Sequence, residues 1–306
     1  MKSGHEAPWM ECVPNFSEGR NGEIIEAIRS AVQTTPRVHL LNQHRDSFHN
    51  RTVLTFVGEK KDVVEAAFRA ITCAAELIDL TLHSGEHPRM GATDVVPFVP
   101  IGGETPEACI VAASELGKRV GEELNIPVIL YGLAATTEKA RSLPKIRRKG
   151  FEQFQEEGSI GTEPDFGPDN PHPTAGVTAV GARNVLVAYN IFLATGDVAI
   201  AKRIAETVRT SSGGLPGVHA KGFAVEGRAQ VSMNLLDVTA TTLQDVFDKV
   251  GIEAKKLNTD VYESELVGLA PQAVLDSKIA DEIKLRTDWT DHVLELKLDE
   301  ARERAG

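Results

Sequence analysis

The sequence has few cysteines, few aromatic residues and no long apolar run. Its three cysteines, Cys12, Cys73 and Cys109, form neither a CxxC pair nor a disulfide framework, which favours a reducing compartment and a cytoplasmic location. The longest apolar runs, such as residues 185–194, are far shorter than the ~20 residues of a membrane helix. Residues 1–10 contain no apolar segment typical of a secretion signal. We therefore expect no membrane partner.

Basic runs are also scarce. The net charge is -11, and the longest basic cluster is short, at residues 145–149, which argues against nucleic acid as a partner. Hydrophobic residues make up 42% and charged residues 25%, as in ordinary folded proteins. A chain of 306 residues exceeds the usual size of one compact core and favours two subdomains.

Hydrophobic periodicity predicts the order β-α-β-β-α-β in each half of the chain. In the first half we predict strands at residues 11–16, 38–41, 52–57, 95–101 and 128–131, helices at 23–32, 62–80 and 106–124, a polar loop at 42–50 and a helical, only partly amphipathic region at 139–158. Asn21 is expected to cap the first helix, and Pro97 and Pro100 indicate an edge strand.

The second half repeats this order after a segment rich in glycine and proline at residues 161–181. Here we predict strands at residues 185–194, 218–225, 230–236 and 261–269, and helices at 197–208, 241–250, 271–279 and 288–302. The sequence thus predicts an α/β (α+β) protein with two ferredoxin-like subdomains, residues 11–183 and 184–306, after a loose N-terminal extension at 1–10. The last helix is amphipathic and is expected to pack on the second subdomain or across a dimer interface.

The segment between the second helix and the 95–101 strand is the densest in reactive side chains. It contains the pattern H-x-x-E-H from His83 to His87, which resembles an inverted zinc-peptidase motif. Such ligands need a helix to share one face, whereas Gly85 lies inside the motif and Pro88 follows it. We therefore expect no metal.

His87 is the strongest candidate for acid/base chemistry. Its place between Gly85 and Pro88 restricts the backbone direction, as a group that must reach a substrate atom requires. His83 is instead expected to complement the dipole of the preceding helix. Ser84 and Cys12 have no neighbouring base pattern, which argues against covalent catalysis.

Several blocks of this sequence resemble the formiminotransferase domain family, from residue 11 to the late 260s. They are ECVPNFSEG at 11–19, NRTV at 50–53, GEHPRMGA at 85–92, PDFGP at 164–168, GAR at 181–183 and QVSMN at 230–234. The resemblance implies two subdomains whose sheets face each other across a folate tunnel, a homodimer, and transfer of a formimino group between N-formimino-L-glutamate and tetrahydrofolate. It also implies that His87 is the catalytic residue, and exchange of one amine for another at an amidine carbon would use its imidazole as base first and as acid second.

The resemblance assigns further residues to the site. The folate-binding loop corresponds to Gly167, Pro168, Asp169, Asn170, Pro171, His172, Pro173, Thr174, Ala175 and Gly176. Ala175 stands where some members carry an aromatic residue. Both substrates carry carboxylates, for which the guanidinium groups of Arg51, Arg89 and Arg183 are candidate clamps, with surface ion pairs as the alternative. Asp46 or Asp94 would orient His87 or hold the cationic formimino group.

Two other functions remain open at this point. The same residues would serve a glutamate formyltransferase that uses 5-formyltetrahydrofolate, or a folate-binding module without catalysis. Fused members of the family carry a cyclodeaminase, and we expect the residues that follow the resemblance here to be too few for one. A separate cyclodeaminase would then consume the product.

Overall fold

The computed structural model describes residues 8–85, 89–225 and 227–305, which form two compact units. Unit 1 spans Met1–Asn184 and unit 2 spans Val185–Gly306. Each unit combines a sheet with packed helices and has a hydrophobic core of its own. The expected mixed α/β class, with α+β subdomains, is confirmed.

The sheet of unit 1 contains seven strands within the described residues. They are β1 (Met10–Cys12), β2 (Asn15–Phe16), β3 (His39–Asp46), β4 (Arg51–Gly58), β5 (Thr93–Pro100), β6 (Val128–Gly132) and β7 (Thr178–Ala182). β4 lies between β3 and the short strands β1 and β2, which also pair with β5, all antiparallel. β7 and β6 extend the sheet beyond β5 as parallel strands. The order β3-β4-β1/β2-β5 is that of a βαββαβ unit.

Helices cover both faces of this sheet. One face carries α1 (Gly22–Gln33), α2 (Lys60–Leu77) and α3 (Pro106–Glu123), and the other carries α4 (Leu143–Ile146) and α5 (Phe151–Glu157). Successive side chains of a strand point to opposite faces, so Val96 of β5 packs under the first group and Val95 under the second. Asn21 caps α1 as predicted, since its side chain accepts from the N–H groups of Glu23 and Ile24.

Unit 2 has the ferredoxin-like strand order β11-β8-β10-β9, entirely antiparallel. Its elements are β8 (Val187–Leu193), α6 (Val198–Val208), β9 (Val218–Val225), β10 (Arg228–Leu235), α7 (Leu243–Lys256), β11 (Val261–Val267), α8 (Ser277–Glu282) and α9 (Leu294–Ala305). Short 3-10 turns occur at Thr210–Ser212, Gln272–Val274 and Trp289–His292. Val293, just before α9, and Leu296 in its first turn pack into the core of unit 2, as predicted for a terminal helix that packs on the second subdomain.

The prediction that β5 is an edge strand is wrong. β5 pairs with β1 and β2 on one side and with β7 on the other. Pro97 is tolerated there because it faces the break between β1 and β2, where its carbonyl accepts from the N–H of Val13 at 3.1 Å. In an extended chain the N and O of one residue point to the same side, so the missing N–H of Pro97 interrupts no ladder.

Two further expectations were wrong in part. The polar residues 42–46 continue β3 instead of forming a loop, since pairing with β4 satisfies their backbone while their side chains alternate outward. Residues 139–158 were expected to be helical, but the structure places the short helices α4 and α5 there with turns around them. Pro144 fits at the beginning of α4, and Gly150 precedes α5.

Among the helices that the structure describes, none is both long enough and apolar enough to cross a membrane.

Candidate active site

The segment that carries His87 joins α2 to β5. His87 itself, with Glu86 and Pro88, lies outside the described residues, so its catalytic role stays a prediction. The structure describes the chain up to Gly85 and again from Arg89. Both flanks of His87 are hydrogen-bonded to neighbouring segments, which fixes where the loop begins and ends.

The flank before His87 is bound to the turn between β3 and β4. Nδ2 of Asn50 donates to the carbonyl oxygen of Ser84 at 2.9 Å, while Oδ1 of Asn50 accepts from the N–H of Gly19 at 2.8 Å. A Cβ on Gly85 would lie 2.7 Å from the carbonyl oxygen of His49, so this close approach requires glycine. The residue 17–21 turn, the β3–β4 turn and the flank before His87 therefore meet at Asn50.

His83 makes a structural contact through one ring nitrogen. Its Nε2 lies 3.1 Å from the carbonyl oxygen of Asn50, and because a carbonyl only accepts, Nε2 carries the proton. Burial lowers the pKa of His83, so the ring is neutral at neutral pH. Nδ1 is buried and has no hydrogen-bond partner among the described residues. The expected role of His83 at a helix end is wrong, because α2 stops at Leu77 and the chain turns to extended conformation at Ile78.

Arg89 begins the flank after His87 and connects it to two other segments. One Nη donates to the carbonyl oxygen of His83 at 2.9 Å and to Oε1 of Glu152 at 2.5 Å. The carbonyl of Arg89 accepts from the N–H of Phe151 at 3.0 Å. The Arg89 side chain is only 11% exposed, whereas that of Glu152 is 61% exposed. A substrate carboxylate that binds Arg89 would therefore compete with a carboxylate that is free to move into solvent.

Asp94 lies at the start of β5 and is buried, with both carboxylate oxygens bound by protein donors. Oδ1 accepts from the N–H of Met90 at 2.8 Å, and Oδ2 accepts from an Nη of Arg147, which follows α4. The pair thus links the end of the His87 loop to the α4–α5 region. These contacts support a positioning role for Asp94, while its action on His87 stays a prediction.

Asp46 ends β3, and its carboxylate closes the turn to β4. Oδ1 accepts from the N–H groups of Phe48 at 2.9 Å and His49 at 2.8 Å, and Oδ2 lies 2.5 Å from Nδ1 of His49. Burial raises the pKa of Asp46, but hydrogen bonds from His49 and the charges of His49 and Arg51 outweigh this and lower it to about 2. Asp46 is therefore ionised at neutral pH and paired with His49, a partner that the sequence did not indicate.

The predicted folate loop is joined to the His87 loop at its C-terminal end. The carbonyl oxygen of Thr174 accepts from the N–H of Leu80 at 3.0 Å, and that of Ala175 accepts from the N–H of Ala92 at 2.9 Å. Ala175 is 1% exposed and belongs to the core, so its side chain offers no stacking surface to a ligand. The structure therefore brings the two predicted binding segments together through their backbones.

His172 and Gly176 form a tight turn within the same loop. They exchange two backbone hydrogen bonds of 2.9 and 3.0 Å, and Nδ1 of His172 accepts from the N–H of Ala175 at 3.0 Å. Burial lowers the pKa of His172, so this acceptor is available at neutral pH. The beginning of the loop is different: Gly167 adopts φ of 85°, and the residues after it, Pro168, Asp169 and Asn170, are exposed.

Arg51 and Arg183 lie in different surroundings. Arg51 starts β4, and its charge contributes to the low pKa of Asp46, which places it in the β3–β4 turn region. Arg183 follows β7 at the end remote from Gly176, about 15 Å along the strand from its first residue. Its charge acts on the buried Glu11 and Tyr131. The structure thus groups Arg51 with the His87 loop within unit 1 and does not group Arg183 with it.

The residues that the sequence did not indicate are partners of the predicted ones, and all but His49 act through contacts distant in sequence. Asn50, His49, Arg147 and Glu152 each bind the His87 loop or the turn beside it. Asn50 begins the family-like block NRTV at residues 50–53 and directly precedes a strand, which is the signal in the sequence that points to it. Among the described residues, no group of three or more His, Cys, Asp or Glu is placed to hold a metal ion.

In comparison with known proteins, both halves of the chain match models of the same domain family. Residues 9–183 match the formiminotransferase domain, N-terminal subdomain, and residues 188–281 match the formiminotransferase domain. The glutamate formimidoyltransferase of Streptococcus pyogenes serotype M1 is 43% identical, with 87% of this chain and 90% of that protein covered. The glutamate formimidoyltransferase of Thermoplasma acidophilum is 41% identical, with 95% of this chain and 98% of that protein covered.

A fused relative matches in one part only. The formimidoyltransferase-cyclodeaminase of Mus musculus is 46% identical over 88% of this chain, which spans 51% of the mouse protein. The family matches cover both units, and the relatives of similar length align almost from end to end. The chain therefore belongs to the formiminotransferase family.

Proposed function

We propose that the chain transfers the formimino group between N-formimino-L-glutamate and tetrahydrofolate, giving 5-formimidoyltetrahydrofolate and L-glutamate. The observation that carries this proposal is the match of both halves to formiminotransferase models, together with relatives named glutamate formimidoyltransferase that align over most of their length. The hydrogen bonds that hold both flanks of His87 support it, because acid/base catalysis requires a group in a fixed position.

The proposed reaction exchanges one amine for another at an amidine carbon. N5 of tetrahydrofolate attacks this carbon and gives a tetrahedral intermediate, and His87 takes the proton that N5 loses. The bond to the glutamate nitrogen then breaks, and His87 returns the proton to the departing amine. An imidazole can serve both steps because its ordinary pKa of about 6.5 lies near neutral pH.

The other proposed roles follow from charge and position. Arg89 and Arg51 bind substrate carboxylates, since a guanidinium fork matches a carboxylate better than a point charge does. Asp46 is ionised, which suits it to attract the cationic formimino group. The loop at 167–176 binds the folate through backbone groups, as its C-terminal part is fixed next to the His87 loop. Arg183 serves the folate or glutamate from the far end of β7.

Tetrahydrofolate acts here as a co-substrate. The product belongs to histidine degradation and one-carbon metabolism, and a separate cyclodeaminase in the cytoplasm would consume it. The fused relatives carry such a domain by name. We also propose a homodimer, which sedimentation at several protein concentrations would test.

The experiment is to incubate the purified chain with tetrahydrofolate and formiminoglutamate and then acidify. Transfer is expected to give methenyltetrahydrofolate and one equivalent of ammonia only when both substrates and the protein are present. A parallel reaction with 5-formyltetrahydrofolate and glutamate tests formyl transfer. No folate adduct in the first reaction, with folate still bound, would contradict the proposal and favour a binding module.

A further inference from the structure

We propose that Asn50 is a positioning residue for this reaction, which sets the place of the His87 loop by joining it to two turns of unit 1. The inference rests on the proposed function. Asn50 does not approach the reacting atoms in the proposal; it acts through the backbone of residues 83–85. Its features are an unusual backbone conformation, a buried side chain and three hydrogen bonds with partners distant in sequence.

The backbone of Asn50 is in the left-handed region, with φ of 50°. Most residues with a Cβ avoid this region, and asparagine is among the few that tolerate it. The turn from β3 to β4 requires this conformation, since Asp46 pairs with Arg51 across it. Asn50 is also 6% exposed, so each of its polar atoms needs a partner inside the protein.

Each polar group of Asn50 beyond its N–H has a defined partner in a different segment. Oδ1 accepts from Gly19 in the 17–21 turn at 2.8 Å, and Nδ2 donates to the carbonyl of Ser84 at 2.9 Å. The carbonyl of Asn50 accepts from Nε2 of His83 at 3.1 Å, which selects one tautomer of that ring. The side-chain amide of Asn50 thus acts as a donor and as an acceptor at the same time.

The packing around these bonds leaves little room for adjustment. A Cβ on Gly19 would lie 2.2 Å from the carbonyl oxygen of Asp46, and one on Gly85 would lie 3.0 Å from Cβ of Asn50. The three segments are therefore in backbone contact. Gly85 precedes His87 by two residues in the sequence, so in this proposal a shift at Asn50 displaces the described chain that leads to His87.

This geometry separates catalysis from folate binding. The two hydrogen bonds that join the folate loop to the ends of the His87 segment, from Leu80 to Thr174 and from Ala92 to Ala175, include neither Asn50 nor residues 83–85. Loss of the Asn50 bonds should therefore lower kcat more than it raises the KM for folate. A misplacement of about 1 Å can cost on the order of 100-fold in rate.

Two substitutions test separate parts of the proposal. Asn50→Gly keeps the left-handed backbone and removes both side-chain hydrogen bonds, and we expect kcat to fall roughly 10- to 100-fold. Asn50→Asp keeps the acceptor for Gly19 but places a carboxylate against the carbonyl of Ser84. Protonation of that carboxyl group restores one donor and one acceptor. The kcat of Asn50→Asp relative to wild type should therefore recover as the pH falls from 8 to 5.5.

Matched controls are Asn258→Gly and Asn258→Asp. Asn258 has nearly the same backbone, φ of 56°, but is exposed and follows α7 in unit 2. We expect kcat within twofold of wild type for both controls at every pH. Thermal unfolding of all four variants shows whether a loss of rate reflects a loss of folded protein.

The outcomes distinguish the inference from the function on which it rests. No adduct with wild-type protein contradicts the proposed function. Two results would contradict the inference alone, provided that the wild-type protein transfers the group. One is that the Asn50 variants are as active as the Asn258 variants. The other is that the ratio of the Asn50→Asp kcat to the wild-type kcat does not change with pH. NMR of the His87 ring, assigned with His87→Ala, adds a readout without turnover: Asn50→Gly should shift its signals and its titration, and unchanged signals would overturn the proposal.

Discussion

Glu11 is a carboxyl group in the middle of the unit 1 sheet, 5% exposed on β1. Burial raises its pKa from 4.5 to about 7, and the charge of Arg183 offsets part of this effect. The folded state therefore binds a proton between pH 4.5 and 7 that the unfolded state does not. By linkage, this carboxyl group favours the folded state at low pH, and the contribution is lost as the pH rises through 7.

Replacing Glu11 with Gln should remove this pH dependence. The shift is equivalent to about 3 kcal/mol, so at pH 8 Glu11→Gln should unfold at higher urea concentration than wild type, and near pH 4.5 the two should agree. Urea denaturation at both pH values measures it. Glu163→Gln, at an exposed position of the same unit, is the control. Equal wild-type and variant curves at pH 8 would contradict the assignment.

The proposed acid/base role makes His87 the most informative residue to remove. His87→Ala should lower kcat by roughly 10² to 10⁴, because a positioned acid/base group contributes about that much. Tetrahydrofolate should still bind, as measured by equilibrium dialysis. Turnover close to that of wild type would refute the role of His87, whatever the fate of the family assignment.

Arg89 is expected to distinguish a guanidinium fork from a simple charge. Arg89→Lys keeps the charge but cannot donate to His83 and to a carboxylate in the same plane, so the KM for one substrate should rise at least several-fold. Glu152→Gln, which removes the exposed ion partner of Arg89, should leave that KM unchanged or lower it. Unchanged KM values for both substrates in Arg89→Lys would leave Arg89 with a purely structural role.

At this scale the sequence indicated residue types but not partners. His87 and Arg89 stood out because unlike reactive groups cluster in a short loop, and the sequence blocks carried the family resemblance. Asp46 and Asp94 were named as candidates and their roles stay predictions, but the sequence did not indicate Arg147 as the partner of Asp94. Hydrogen bonds between residues about 30 to 50 positions apart depend on the finished fold.

Secondary-structure elements were predicted best where local signals were complete. α1 has its Asn21 cap and a regular apolar face, and α3 is capped by Thr105, begins at Pro106 and ends within one residue of the predicted end. Two of the errors occur where pairing across the sheet decides the outcome. β3 extends through polar residues because β4 pairs with it, and β5 is central because β1 and β2 are interrupted opposite its proline.

Two glycines inside helices should respond oppositely to the same substitution. Gly→Ala in a helix interior gains about 0.5–1 kcal/mol. At Gly251 of α7 a Cβ meets no atom within 4 Å, so Gly251→Ala should stabilise unit 2 by that amount. At Gly121 of α3 a Cβ would lie 2.5 Å from the backbone N of Gly167, where the predicted folate loop begins. Gly121→Ala should therefore destabilise the protein by about 1–3 kcal/mol.

Denaturation of the two variants beside wild type measures the difference. Tetrahydrofolate binding by Gly121→Ala should also weaken, while Gly251→Ala binds as wild type does. Equal stabilisation by both substitutions would show that α3 and the predicted folate loop can move apart without loss of stability. The packing of that loop on α3 would then have no bearing on folate binding.

At the scale of the whole chain, both matched ranges correspond to formiminotransferase domains, and the fused mouse relative is about twice as long as this chain. We predict that the purified chain forms 5-formimidoyltetrahydrofolate and accumulates it at neutral pH. Ammonia should appear at the rate of the protein-free control until a cyclodeaminase is added. Faster ammonia release that persists in His87→Ala, supplied with prepared adduct, would reveal a second activity in this chain.

The parallel strands that extend the first sheet also affect the order in which the molecule can fold. β9 and β10 pair with each other and are close neighbours in the sequence, so they can pair early, whereas β5 reaches β7 by bringing Val95 beside Ala179, across a long stretch of chain. Loop-closure entropy makes such pairings slow. The contacts between the folate loop and the His87 loop depend on this closure. During synthesis or after partial unfolding, unit 1 should therefore form its helices and its β3–β4 hairpin before it forms a working site.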